Sequence, residues 1–464
     1  MTDHYQACLD FLYGRLNYER QGMPRIPGEL RLGRMRRLLR RLGDPHLALN
    51  IIHVAGTKGK GSTSAMIASA LSASGRKTGL FCSPHLNRLE ERFCIDGREA
   101  TAQQLVALIQ GVREVVERLD AEHDARQHRG MTFFEITTAM GLLHFARENV
   151  GPLVLEVGMG GRLDSTNVVR PTVAVVTNIS LDHTKQLGST IGEIAREKAG
   201  IFKRLRPVVT GERSAEALDV IRNTAALRGS RLREIDRDFQ YEYEPPKPPL
   251  TRPMAGRVSV KTWSGDWGTF DLPLFGAHQA QNVAVALATL DVLAENGCGV
   301  DREDVARGFA QLRWPARIEL LGNAPWFVVD GAHNVAAAEA LSETLETCFP
   351  KTSRTLIFGT TREKDLRGQL QALLPGIDRV VVTRYLENPR SVPPDEVAAV
   401  VLEMTGRRAI VTKSPATALD EARAVTPRDG LIVVTGSLFL AAEVRDLVFN
   451  PAYNLNYAQM IRLR

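Results

Sequence analysis

Gly56-Thr57-Lys58-Gly59-Lys60-Gly61-Ser62 lies between an apolar run, Ile51-Ile52-His53-Val54-Ala55, and a helix-like stretch, Thr63-Ser64-Ala65-Met66-Ile67-Ala68-Ser69-Ala70-Leu71. Strand, glycine-rich turn and helix, in that order, are the context in which a phosphate-loop motif has meaning. The glycines let successive backbone N–H groups turn toward a polyphosphate, and the helix N-terminus adds about half a positive charge. Lys60 would reach the terminal phosphates, and Ser62 a phosphate or its magnesium. The spacing departs from G-x-x-x-x-G-K-[ST], because the first glycine sits closer and Gly61 separates Lys60 from Ser62. A flexible turn with a solvated lysine is the alternative, and the flanking strand and helix disfavour it. The stretch reads as an ATP site.

Outward from it, apolar runs alternate with helical patterns. Strands are expected at residues 77–82, 152–157, 171–179 and 207–210, and helices at 102–119, 133–145 and 191–200. Thr132 followed by Glu135 has the spacing of a capping box. From Asp236 to Phe275 the character changes to a proline cluster and alternating stretches, read as a small antiparallel excursion on the first domain. Helices follow at 281–295 and 302–312, then a hinge at Arg313-Trp314-Pro315-Ala316-Arg317. Beyond it, strands at 326–329, 355–358, 379–383, 409–411 and 431–435 make a second, smaller doubly wound sheet. The fold class is therefore α/β: a P-loop-containing parallel-sheet ATP-binding domain (1–312), the hinge (313–317) and a Rossmann-like α/β domain (318–464).

At 464 residues two or three domains are expected. No apolar run approaches the roughly 18 residues of a membrane span, and the N-terminus lacks the basic-then-apolar character of a secretory signal. Cys8, Cys82, Cys94, Cys298 and Cys348 are scattered without C-x-x-C spacing, against a disulfide framework or a zinc site. A cytoplasmic enzyme fits best. Net charge is +6, and six arginines crowd residues 31–41 on an amphipathic helix. A solvated face or attraction of an anionic substrate explains them; without aromatic interleaving or a recognition motif, neither nucleic acid nor membrane is expected as a partner.

In open α/β sheets, ligands sit outside the carboxyl ends of the strands. The phosphate loop, Ser83, Glu156 and the turn Ser180-Leu181-Asp182-His183 all fall there. Magnesium on a phosphate needs one or two protein oxygens, which Ser83 and Glu156 supply; His183 is a less usual ligand. Singly, each also reads as structural: a turn serine, a paired carboxylate, a histidine bonded to backbone. The run from Glu156 through Gly158, Gly160 and Gly161 to Asp164 lets backbone approach a ligand and brings another carboxylate to the same mouth.

Seven motifs occur together and in order: HVAGTKGKGS (53–62), Ser83-Pro84-His85, the run 156–167, Leu181-Asp182-His183, Glu197-Lys198-Ala199-Gly200-Ile201, Trp314-Pro315-Ala316-Arg317 and Asp330-Gly331-Ala332-His333-Asn334. The set resembles folylpolyglutamate synthases, including the bifunctional dihydrofolate synthase/folylpolyglutamate synthases, of the Mur ligase superfamily. The likeness runs from about Leu12 to Arg445. It implies that Gly59, Lys60, Gly61 and Ser62 bind ATP phosphates, and that Ser83, Glu156 and His183 are Mg2+ ligands. It also implies that Lys198, otherwise a solvated helix lysine, is carbamylated and holds a second magnesium. Asn282 matches an adenine-side asparagine, Arg317 and Asp330 match nucleotide contacts, and His333 a group beside them that serves the incoming glutamate. Pterin contacts would come from residues 29–32, from Thr132, Phe133, Phe134 and Glu135, and from Leu163, Asp164 and Ser165. Departures from the pattern are Lys58 for a usual asparagine, Leu30-Arg31-Leu32-Gly33-Arg34 near the pterin side, and Glu363 for a usual aspartate.

The activity so implied is ATP-dependent ligation of L-glutamate to a folate or dihydropteroate by a monomer, with Lys60, Lys198 and His333 in the catalytic roles. The ATP γ-phosphate activates the carboxylate as an acyl phosphate, which the amine then attacks. A uridine-nucleotide peptide ligase of the same superfamily and a non-catalytic nucleotide-binding protein are the rival readings. Ser83-Pro84-His85 and Leu163-Asp164-Ser165 favour folate over the first. Retention of Lys60, Glu156, His183 and Lys198 argues against the second.

Overall fold

The computed structural model describes residues 2–21, 32–122, 130–386 and 388–449. The chain falls into two units, one of Met1–Glu242, Val258–Phe270 and Ala280–Leu312, the other of Tyr243–Arg257, Asp271–Gln279 and Arg313–Arg464.

The first unit is built on β1 (Asn50–Ala55), β2 (Gly79–Phe81), β3 (Phe93–Ile95), β4 (Arg98–Glu99), β5 (Pro152–Glu156), β6 (Val173–Val176), β7 (Val208–Thr210) and β8 (Leu232–Glu234), in the order β4-β3-β2-β5-β1-β6-β7-β8. β1 pairs in parallel with both β5 and β6. Helices cover both faces, which is why these central strands read as unbroken apolar runs rather than alternating ones. On one face Leu38, Leu39, Phe133, Ile136, Leu153 and Leu155 share a core. Farther along the same face, where Ala174 is level with His53 and Leu155, Ala174, Val176, Ile194 and Ile221 pack together. The antiparallel edge pair β3 and β4, and the outer strand β8, are too short and too polar to announce themselves.

The basic helix runs Leu32–Arg41 and buries Met35, Leu38 and Leu39. Its arginines are not all solvated: Arg34 is largely buried, its Nε 3.1 Å from Glu135 Oε1, whereas Arg41 pairs with Glu122 at 2.9 Å in an exposed position. A three-stranded sheet, β9 (Phe239–Glu244), β10 (Arg257–Thr262) and β11 (Gly265–Asp271), has the order β11-β10-β9. The two-residue link Trp263-Ser264 makes β10 and β11 an antiparallel hairpin.

The second unit carries β12 (Glu319–Asn323), β13 (Trp326–Val329), β14 (Arg354–Phe358), β15 (Arg379–Val382), β16 (Ile410–Val411) and β17 (Leu431–Thr435), in the order β12-β13-β17-β14-β15-β16. All pairs are parallel except the edge pair β12–β13. Val328, Leu356, Phe358, Val382 and Val433 form its core with Leu341 and Leu370 from the covering helices. The cysteines are all free thiols. No helix among the described residues is long and apolar enough to cross a membrane.

Candidate active site

The helix Lys60–Ala73 follows β1 and begins at Gly59, whose φ of 78° is left-handed. No side chain caps it, and its first turn holds no acidic residue. Its leading N–H groups and partial positive charge are therefore not met by a carboxylate of the helix itself, which suits an anion. The preceding turn is held from outside. Thr57 N–H donates to Asn178 O at 2.8 Å and Lys58 N–H to Asn178 Oδ1 at 2.9 Å. Thr177 Oγ1 donates to Lys58 O at 2.6 Å, and Ser180 N–H to Thr57 Oγ1 at 3.0 Å. A Cβ on Gly59 would stand 2.3 Å from Asn282 Oδ1, so this position needs glycine both for its φ and for its space. The half-buried Lys60 bends back, its Nζ 3.3 Å from Thr57 O. Such a cradle fits a polyphosphate.

β2 and β5 are neighbours, and both end at this edge. Ser83 N–H donates to Glu156 Oε2 at 3.2 Å, which puts these two residues side by side. Their donors are oxygens, as magnesium requires. Among the described residues no three His, Cys, Asp or Glu side chains enclose a metal, and magnesium bound to a nucleotide, with waters completing its shell, needs no such enclosure. His183 sits at φ 48° with a half-exposed ring, 3.9 Å from Asp182 Oδ1.

Lys198, on the helix Ile191–Ala199, is buried and donates through Nζ to Gly56 O at 2.8 Å. Burial and then repulsion by Lys60 push its pKa down to about 7; Asp182 and Asp164 oppose the shift. Near neutrality it is thus partly an uncharged, nucleophilic amine.

The residues expected on the folate side divide. Phe133 is fully buried, stacked on Tyr13 with ring centroids 5.6 Å apart and with the Arg92 guanidinium 5.2 Å from its own centroid. Its ring belongs to the core cluster it shares with Leu153 and Leu155. Phe134 instead lies against the glycine turn, its Cζ 2.4 Å from where a Cβ on Gly158 would be. Thr132 caps the helix Phe133–Arg147, and Glu135 Oε2 accepts from Thr132 N–H at 2.9 Å while its Oε1 meets Arg34. Asp164 accepts from Met159 N–H at 2.9 Å and from the Thr166 N–H and hydroxyl at 2.9 and 2.5 Å. Both carboxylates are thus engaged in holding their own turns. Burial raises the Asp164 pKa against those hydrogen bonds. Leu163 and Ser165 are partly exposed beside it. Of the stretch 29–32, residues 29–31 lie outside the described residues.

In the second unit, Arg317 is flanked by two left-handed residues, Ala316 at φ 52° and Ile318 at φ 50°. Such angles are unusual for alanine and strained for β-branched isoleucine. The carboxylate of Asp330, just past β13, holds them: Oδ2 accepts from Ile318 N–H at 2.9 Å and Oδ1 from Ala332 N–H at 2.8 Å. Gly331 N–H donates to Ala316 O at 3.0 Å. Burial raises the Asp330 pKa, and Arg317 partly offsets this. His333 Nδ1 lies 2.9 Å from Gly331 O. A carbonyl only accepts, so Nδ1 carries the proton, and the neutral ring has its basic nitrogen at Nε2.

Two family models match the chain, the Mur ligase middle domain over residues 54–290 and the Mur ligase glutamate ligase domain over 316–438. The dihydrofolate synthase/folylpolyglutamate synthase of Bacillus subtilis is 32% identical over 452 residues, covering 96% of this chain and 99% of that protein. The chain belongs to the folylpolyglutamate synthase/dihydrofolate synthase family of Mur ligases. A solved folylpolyglutamate synthase of Mycobacterium tuberculosis, complexed with ADP, superposes with a TM-score of 0.86 at 31% identity, covering 97% of this chain and 99% of that one. A probable bifunctional folylpolyglutamate synthase/dihydropteroate synthase of Haloferax volcanii is 36% identical over 421 residues. That match covers 89% of this chain, which spans about half the length of the curated relative, 47%.

For a folylpolyglutamate synthase family member, sequence reasoning passed over the residues that hold the loops. Asn178 and Thr177 fix the phosphate turn; His53 and Thr166 hold Asp164. Only the burial of polar residues beside a motif would have pointed to them. The Gly59 geometry carries a prediction. Gly59→Ala should lower affinity for ADP by at least roughly tenfold, since the left-handed strain and the Asn282 clash must both be relieved at the cradle. Calorimetric titration would show it, and wild-type affinity would mean that the cradle is misassigned.

Proposed function

We propose that the chain is an ADP-forming ligase that joins L-glutamate to a folate-type acceptor: tetrahydrofolate in polyglutamylation, dihydropteroate to give dihydrofolate, or both. The observation that carries this is the juxtaposition of an uncapped, lysine-bearing phosphate cradle with Glu156 and the buried Lys198 at one sheet edge.

A carboxylate is a poor acyl donor at neutral pH, so it takes the ATP γ-phosphate first. Gly59, Lys60, Gly61 and Ser62 bind the phosphates, and Lys60 stabilises the charge spreading over the transferred group. Magnesium, when bound, neutralises phosphate charge; Ser83, Glu156 and His183 would hold it, and a carbamylated Lys198 a second ion. Asn282 serves the adenine side, and Arg317 and Asp330 the nucleotide. His333, with its basic Nε2, serves the glutamate amine, which attacks the acyl phosphate and expels phosphate. Thr132, Phe134, Glu135, Leu163, Asp164 and Ser165 shape the folate side. The chain's partners are proposed to be these small molecules, not nucleic acid or a membrane, with the protein a cytoplasmic monomer. Free thiols fit a reducing compartment.

Phosphate release with ATP and glutamate should appear with tetrahydrofolate, with dihydropteroate, or with both. Release only with a uridine-nucleotide muramoyl peptide would transfer the chain to the cell-wall branch. No release with any acceptor, despite nucleotide binding, would make it a non-catalytic binder.

A further inference from the structure

His53 lies on β1, three residues before the phosphate turn, and its ring is wholly buried. No step of the proposed reaction uses it. Its Nε2 is 2.9 Å from Thr166 Oγ1, and that hydroxyl is 2.5 Å from Asp164 Oδ1. The Thr166 hydroxyl donates to Asp164 Oδ1, which also accepts from the Thr166 N–H at 2.9 Å, so Thr166 Oγ1 has only lone pairs left and accepts from His53. The imidazole is therefore the Nε2–H tautomer, with Nδ1 buried and without a partner. Burial holds its pKa down near 3, so the ring stays neutral and the donor direction persists across the working pH range.

The chain ends on the glycine turn. Asp164 Oδ2 accepts from Met159 N–H at 2.9 Å, between Gly158 and Gly160. Glycines give a turn freedom without side chains to fix it, so its shape must be imposed from elsewhere. The same turn carries Arg162, whose N–H donates to Glu197 O at 2.7 Å, next to Lys198. One hydrogen-bonded path thus runs from the strand that launches the phosphate loop to the turn beside the folate-side residues and on to the end of the Lys198 helix.

We propose that Thr166, backed by His53, is a positioning residue: through Asp164 it sets the glycine turn against the folate substrate. The inference rests on the folate-ligase reading, and its test separates the two. Thr166→Val keeps the volume and removes the hydroxyl; Thr166→Ser keeps the hydroxyl. His53→Gln retains a donor near the Nε2 position, and His53→Leu does not.

The Val and Leu variants should lose roughly tenfold or more in kcat/KM for the folate substrate, with the KM for ATP within about twofold of wild type. The Ser and Gln variants should recover most of the loss. Hydrogen exchange at the Met159 amide should quicken in the Val and Leu variants only, a readout that holds whether or not the chain ligates glutamate. If Thr166→Val does not fold, the two His53 variants carry the comparison. Wild-type kcat/KM and Met159 protection in Thr166→Val or His53→Leu would overturn the assignment, and so would equal impairment of the conservative and non-conservative variants. A wild-type protein without folate-dependent phosphate release would instead refute the functional reading, leaving exchange at Met159 to decide this one.

Discussion

Lys60→Ala is expected to abolish ATP-dependent glutamate addition while leaving the fold in place. Lys60 is the first residue of its helix and half-buried, and its ammonium makes one long hydrogen bond, 3.3 Å, to Thr57 O. The loop itself is held by Asn178 and Thr177 rather than by that contact, and alanine is the best helix former. Melting temperature should therefore move little. The chemistry should not survive, because the ammonium is a mobile positive charge that the backbone amides and the Ser62 hydroxyl of the cradle cannot replace. Losing one preorganised donor to a developing anion costs roughly 10²- to 10³-fold in kcat, about 3–4 kcal/mol. A second effect adds to it. Lys60 repels Lys198 and helps hold that amine below its ordinary pKa, so Lys60→Ala also returns Lys198 toward its charged form. Phosphate release and circular dichroism on the same preparation decide the matter. Turnover within a few-fold of wild type would show that the phosphates bind elsewhere.

How legible the molecule was follows from where each signal is stored. β1, β5 and β6 are buried on both faces, so continuous apolar runs betrayed them, and the glycine-lysine turn fell where a parallel sheet puts ligands. Thr132 and Glu135 announced a helix start because a capping box is local in sequence. β3, β4, β8 and β12 escaped because edge strands are short or polar and owe their pairing to a neighbour. Within the site, residue types were readable, but not which groups were already engaged. Glu135 meets Arg34 and Asp164 meets Thr166, and Thr166 meets His53 from a strand more than a hundred residues away. Phe133 has the composition of a stacking platform, and only the packing of Tyr13 and Arg92 against it reveals a core ring. Lys198 sits in a charged stretch that reads as solvated. Its burial comes from the phosphate-loop side, where Gly56 O accepts its proton.

Lys198→Met should be the other near-complete loss of activity, on the order of 10²-fold or more, and it also makes a stability prediction with a definite sign. Removing a buried amine in favour of an apolar side chain of similar length loses the proposed carbamate and the ion it would hold. Carbamate formation requires the neutral amine, and a pKa of about 7 makes that form abundant at mildly alkaline pH. Carbon-13 bicarbonate should therefore give a carbamate resonance in the wild-type protein that is absent from Lys198→Met and fades as the pH falls below 7. Without added bicarbonate, the same shift sets the stability. The unfolded chain holds this proton up to about 10.4, the folded chain only to about 7. Below 7 both states bind it, and the full penalty of burying an ammonium is present. From 7 upward the unfolded state binds more protons than the folded one, so wild-type stability rises with pH until the unfolded lysine also titrates. Lys198→Met has no such proton. It should melt above the wild type at pH 6, and its advantage should shrink steadily toward pH 10. A constant difference across that range would mean that Lys198 keeps an ordinary pKa in the folded protein, and the case for a neutral, carbamate-forming amine would fail with it.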